Sequence, residues 1–160
     1  MKISKVNNTR GFTLIETLGV IILIAIIISI LYPNVVKTID IFVLDGAHNK
    51  LYQDLRLVKM QALKTEQLSR ISFPYFGPQN YYVLHLPNRT KINYLPDGIN
   101  FSTLNTGGSD FYNPEVVFAP DGVPWGGATI GISNKQGDTK YVVIAAVSGR
   151  IRKSEVLPGF

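Results

Sequence analysis

Two groups of residues in this 160-residue chain have types and spacing that could do chemistry. The first is Gly11-Phe12-Thr13-Leu14-Ile15-Glu16, where a lone carboxylate opens a long apolar run. A carboxylate held at the centre of a membrane costs about 2.5–3.5 kcal/mol on insertion scales, so Glu16 calls for a partner. The second group is Gly149-Arg150-Ile151-Arg152-Lys153. In a strand, Arg150 and Arg152 would share one face at about 7 Å separation while Ile151 takes the other. Two guanidiniums so placed, with Lys153 beside them, can grip the phosphates of a nucleic acid. The competing structural reading is that these arginines guard a sheet edge, or pair with Glu155 or Asp138.

Patterns that would indicate an enzyme are missing from the sequence. Its two histidines, His48 and His85, lack metal-ligand spacing, and there is no G-x-S-x-G, H-E-x-x-H or Walker A pattern. With no cysteine, thiol nucleophiles, disulfides and Cys-based metal sites are excluded. Asp97, Asp110, Asp121 and Asp138 do not follow an EF-hand series and read as turn residues. No catalytic residue, metal or cofactor is therefore expected. Lys135 and Lys140 could extend the basic patch, and Tyr81, Tyr82 and Trp125 could stack bases, although such aromatics commonly serve a core.

The elements that position these groups are legible in the pattern. From Phe12 to Tyr32 the only charge is Glu16. At ~1.5 Å per residue a helix over this stretch spans roughly 30 Å, the thickness of a bilayer core. Lys2, Lys5 and Arg10 precede it without an acid, which favours a cytoplasmic N-terminus and an exterior C-terminal part. The run ends at Leu31-Tyr32-Pro33 with no small-residue cleavage site, unlike an ordinary signal peptide. Beyond it, Val36, Ile39, Val43, Ala47, Leu51, Leu55, Val58 and Ala62 recur at helical spacing. Lys37, Asp40, Asp45, His48, Lys50, Asp54, Arg56 and Lys59 form the expected wet face. One helix from about Phe12 to Glu66 follows, with Pro33 expected to kink or loosen it rather than end it.

After Ser69, strand-like runs appear at Arg70–Phe73, Tyr81–Leu86, Lys91–Leu95, Glu115–Phe118, Thr129–Ile132, Tyr141–Val147 and Arg150–Val156. Turn residues separate them, including Pro96-Asp97-Gly98 and Pro120-Asp121-Gly122. The stretch 105–113 reads as an exposed loop. The expected fold class is α+β, a long helix packed on an antiparallel sheet.

Gly11-Phe12-Thr13-Leu14-Ile15-Glu16 resembles the processing site of type IV prepilins and pseudopilins. The resemblance implies a leader at residues 1–11, cut between Gly11 and Phe12 by a prepilin peptidase that also methylates the new Phe12 amine. It implies a membrane and assembly helix over 12–32, the amphipathic half of the same helix over 33–66, and a β-rich head over 67–160. It also gives Glu16 its partner, the Phe12 ammonium of a neighbouring subunit, since paired charges offset each other's desolvation. The implied surroundings are the cytoplasmic membrane and its lipid, an inner-membrane assembly platform and sibling pilins. Loss of Lys2, Lys5 and Arg10 with the leader would reduce the formal charge of +5, so overall basicity says little about nucleic acid.

Phe118-Ala119-Pro120-Asp121-Gly122, Gly126 to Ile130, Tyr141 to Val147 and Gly149-Arg150-Ile151-Arg152 resemble the C-terminal pattern of GspH/FimT minor pilins. FimT-like members hold DNA through the Gly-Arg-x-Arg motif, which implies Arg150 and Arg152 as DNA ligands here. Pseudopilins of protein secretion share the domain without needing DNA, so three settings stay open: type IV pilus, competence pilus and type II secretion pseudopilus.

Overall fold

The structure, a computed structural model, describes residues 13–74, 80–107 and 114–157, with the side chain of Pro33 excepted. The chain divides into two compact units, Met1–Thr38 and Ile39–Phe160. A single helix, α1 (Leu14–Thr65), begins in the first unit and ends in the second.

In the first unit every described residue from 13 to 32 is exposed, although nearly all are apolar. The hydroxyls within this stretch are satisfied by the helix itself. Thr17 Oγ1 donates to the Leu14 carbonyl at 2.8 Å and Ser29 Oγ to the Ile26 carbonyl at 2.7 Å. Helical geometry continues through Pro33, whose missing amide removes one bond without ending the helix. By length and composition, α1 is able to cross a membrane. It stops at Thr65 because Glu66 turns to the left-handed region, at φ 52°, and breaks the ladder.

The second unit adds eight strands: β1 (Ser69–Ser72), β2 (Tyr81–Leu86), β3 (Arg89–Tyr94), β4 (Asn100–Thr106), β5 (Glu115–Phe118), β6 (Ala128–Ser133), β7 (Thr139–Ile144) and β8 (Ile151–Ser154). They form two antiparallel sheets rather than the one anticipated, ordered β3-β2-β1-β5 and β4-β6-β7-β8. Ile71, Tyr82, Leu84 and Phe118 from the first sheet join Ile130, Ile132, Val142 and Ile144 from the second in one buried core. The helix contributes Leu44, Ala47, Leu51, Leu55, Val58 and Ala62 to it. The helical stripe thus begins at Leu44, whereas Val36 and Ile39 stay exposed.

Two polar residues expected on the wet face belong instead to the helix–sheet contact. His48 is buried, with its Nε2 hydrogen-bonded to the Tyr141 carbonyl at 2.8 Å. Asp54 accepts from the hydroxyl of buried Tyr82 at 2.6 Å and from Asn93 Nδ2 at 2.7 Å. Burial and this carboxylate together push the Tyr82 phenol well above the usual tyrosine range. These bonds tie α1 to both sheets, His48 to β7 and Asp54 to β2 and β3.

The strand missed in the sequence is β4. A bulge between Phe101 and Thr103 interrupts its pairing with β6 and breaks the period-two alternation by which a strand is recognised. Asn105 and Thr106, expected in a loop, close this strand, and residues 108–113 of that expected loop lie outside the described residues. Both Pro-Asp-Gly turns form as anticipated. The Ile99 amide donates to the Pro96 carbonyl, and the Gly122 amide to that of Ala119.

Candidate functional site

At the start of α1, Gly11 and Phe12 lie outside the described residues, but the helix entrance behind them is defined. The Thr13 amide and Thr13 Oγ1 both donate to Glu16 Oε2 at 3.0 Å, and the Glu16 amide lies 3.4 Å from Thr13 Oγ1. This is a reciprocal capping box: the carboxylate satisfies an amide donor that the helix start would otherwise leave open. Thr13-x-x-Glu16 has the spacing of such a box, a signal that a search for an intermolecular partner passes over. Glu16 therefore has a local partner within its own chain.

The second candidate site runs from the turn at Gly149 and Arg150 into β8, which among the described residues pairs only with β7 and so forms an edge of its sheet. Lys153 opposes Val142, Arg152 opposes Val143 and Ile151 opposes Ile144. Strand alternation puts Ile151 and Lys153 on the face toward the helix and Arg152 on the other. Ile151 packs against the core, as expected. Lys153 separates from the arginines: its ammonium bonds Asn49 Oδ1 and lies 5.1 Å from the centre of the Tyr52 ring.

Arg150 and Arg152 are exposed, and among the described residues neither makes an ion pair. The carboxylates that could have neutralised them are engaged elsewhere. Glu155 holds Lys140 at 3.3 Å, and Asp138 accepts from Asn134 Nδ2 at 2.9 Å. Lys140 also pairs with Asp45, and that partner holds its ammonium above the ordinary lysine range. It is thus withdrawn from the basic patch. The aromatic candidates lie with the other sheet: Tyr82 is in the core, Tyr81 stands beside Tyr94 on β2 and β3, and Trp125 is exposed next to β5.

The turn that carries Arg150 is fixed by close packing. Gly149 has a φ of +59°, and a Cβ there would stand 2.6 Å from the Gly122 carbonyl oxygen. Only glycine meets both conditions. The Gly149 carbonyl accepts from Lys59 Nζ at 2.9 Å, and Gly122 abuts Leu63. The Pro-Asp-Gly and Gly-Arg-x-Arg segments, nearly thirty residues apart in sequence, are therefore stacked against one stretch of α1. Sequence reading alone did not bring Arg56 and Lys59 into this neighbourhood.

Among the described residues, no group of three or more His, Asp and Glu gathers as a metal site. Arg70 and Glu115 approach to 3.8 Å, His85 bonds Ser72 Oγ at 2.9 Å, and Trp125 borders the same shallow cleft.

Comparison with known proteins finds a match to the N-terminal motif and a match to the fold. Residues 6–32 match the prokaryotic N-terminal methylation motif. The fold matches that of the type IV minor pilin FimU of Pseudomonas aeruginosa in two crystal forms, with TM-scores of 0.53 and 0.52. Each match is 13% identical and covers 69% of this chain, with 87% and 92% of FimU respectively. No curated protein sequence matches the chain at a significant level. A methylation motif that runs into a long helix, with two antiparallel sheets packed on that helix, gives the chain a type IV pilin-like fold.

Proposed function

We propose that the chain is a minor pilin or pseudopilin, a structural subunit of a type IV pilus, a competence pilus or a type II secretion pseudopilus. A prepilin peptidase cuts between Gly11 and Phe12 and methylates the Phe12 amine. The apolar half of α1 then holds the subunit in the cytoplasmic membrane, with its N-terminus cytoplasmic and its head exterior, until the assembly platform extracts it into a filament with sibling pilins. The observation that carries this reading is the methylation motif immediately ahead of a helix that is apolar on all sides. A helix of that kind is stable only in lipid or among other apolar helices.

Glu16 serves two states in this account. In the membrane-stored subunit it bonds Thr13, which relieves part of the cost of a carboxylate in lipid. In the filament it takes the Phe12 ammonium of the adjoining subunit as its partner. Glu16→Gln keeps an acceptor for Thr13 but loses the charge, so the variant should be cleaved normally and fail to enter filaments. Normal incorporation would contradict the pairing. A Gly11 replacement should leave the leader attached, seen as slower migration on a gel, and unchanged processing would contradict the assigned cut.

A second reading adds exterior DNA capture by Arg150 and Arg152, without Lys153, whose ammonium is taken up by Asn49 and Tyr52. It is favoured by one observation: two exposed arginines, Arg150 in the turn before an edge strand and Arg152 on it, both without a carboxylate partner among the described residues. In a secretion pseudopilin the same arginines would only guard the edge. Replacing both should lower the dependence of duplex affinity on salt by about two phosphate contacts, and identical binding by variant and parent would reject DNA capture.

A further inference from the structure

Two clefts flank β8 where it meets α1, and their charges differ. One, of about 240 Å³, is lined by Asp45, His48, Asn49, Lys140, Lys153 and Glu155 among others, so acids and bases there neutralise one another. The other, of about 180 Å³, is lined by Arg56, Lys59, Met60, Gly149, Arg150 and Ile151. It contains three cations and no acid. Among the described residues none of these three makes an ion pair, although the rest of the head pairs Lys140 twice and Arg70 once. Like charges gathered without a counter-charge repel one another, and a bound anion turns that repulsion into attraction.

We infer that Arg56 and Lys59 of α1 complete, together with Arg150, a seat for one phosphate of a nucleic-acid backbone. This inference rests on the DNA-capture reading and carries the contact from the edge strand onto the helix. Each side chain is held in a way that leaves donors available. Lys59 spends one ammonium proton on the Gly149 carbonyl at 2.9 Å and keeps two. That bond also fixes the turn from which Arg150 projects. The Arg56 guanidinium lies 5.7 Å from the centre of the Tyr52 ring, which steadies its stem without occupying its N–H fork. Arg152, two residues beyond Arg150, is a further exposed cation outside this cleft. Cations in and beyond the seat suit a polyanion with successive phosphates better than an isolated lipid headgroup.

The test uses the full chain in a non-ionic detergent, with a fluorescent DNA duplex read by anisotropy between about 50 and 200 mM salt. Arg56→Gln and Arg150→Gln, both at exposed positions, should each weaken binding. Because they share one phosphate, their combined effect should be less than the product of the single effects, and the double variant should lose about 0.9 from the slope of log affinity against log salt. Arg56→Gln combined with Arg152→Gln should multiply. Lys59→Gln should weaken binding as well, with its fold checked by circular dichroism. If Arg150→Gln with Arg152→Gln binds as the parent does, DNA capture itself fails. If that pair weakens binding while Arg56→Gln and Lys59→Gln do not, the helix seat is wrong and the edge-strand reading stands. Preferential binding to phosphatidylglycerol vesicles with the same residue dependence would overturn the seat in favour of a lipid headgroup.

Discussion

The two halves of α1 obey the same backbone geometry and solve opposite problems. From Thr13 to Tyr32 the helix is apolar on every side, and each of its described residues is exposed. From Leu44 to Ala62 one stripe is fully used, buried against two sheets, while the other faces carry charge. The first half leaves its hydrophobic surface to be covered by something outside the chain; the second is complete within it. Even the carboxylates differ in this way. Asp54 is tied to two residues distant in sequence, and among the described residues Glu16 bonds the nearby Thr13. A carboxylate with only local bonds can be transferred to a new partner without unfolding anything.

The largest effect that would break this comparison comes from matched truncations. Leu55→Ala empties a fully buried site and should cost the head about 2–5 kcal/mol in denaturant unfolding followed by near-ultraviolet circular dichroism. Ile24→Ala should leave that transition within about 0.5 kcal/mol of the parent, because Ile24 is exposed. Equal losses at both sites would mean that the apolar half belongs to the head's own stability. Next in size is Asp54→Ala, which strands the Tyr82 hydroxyl and the Asn93 amide in the interior and should cost about 1–3 kcal/mol by the same measurement. No change would show that water replaces the carboxylate.

The smallest effect is in pH. Burial lowers the pKa of His48, with Lys153 and Lys140 adding to it and the Tyr141 carbonyl and Asp45 opposing. The His85 pKa is lowered in the same direction by burial and by Arg70, against Glu115. The unfolded chain then binds protons that the folded head resists. Stability should be full above about pH 6.5, the unfolded value, and fall as pH drops toward the folded values. His48→Gln should flatten this acid limb in a series of melts. An unchanged slope would mean that His48 is as freely protonated as in water.

Much of this was legible in the sequence because it depends on local rules. Uninterrupted apolarity marks the first half of α1, spacing of three and four marks the second, and Tyr81–Leu86 and Glu115–Phe118 coincide with β2 and β5. Turn residues marked the Pro-Asp-Gly corners. What could not be read depends on contacts between segments far apart. His48 and Asp54 are polar by type, yet Leu44, Leu51 and Leu55 surround them at helical spacing, so position outweighs residue type. β4 lost its alternation to a bulge, and the division into two sheets is a matter of pairing. Of the candidate sites, the prepilin motif is contiguous and plain. Arg150 and Arg152 were expected on one face of a strand, but β8 begins only at Ile151, and the departure of Lys153 to Tyr52 and the arrival of Arg56 and Lys59 require the helix to be docked.

The central claim is that a cut between Gly11 and Phe12 prepares the exposed apolar half of α1 for assembly. Mass spectrometry of the N-terminal peptide, from protein recovered with the membranes of its native host, tests this most directly. The account predicts a chain that begins with N-methylated Phe12. A mature chain that still carries Met1 to Gly11 would contradict it.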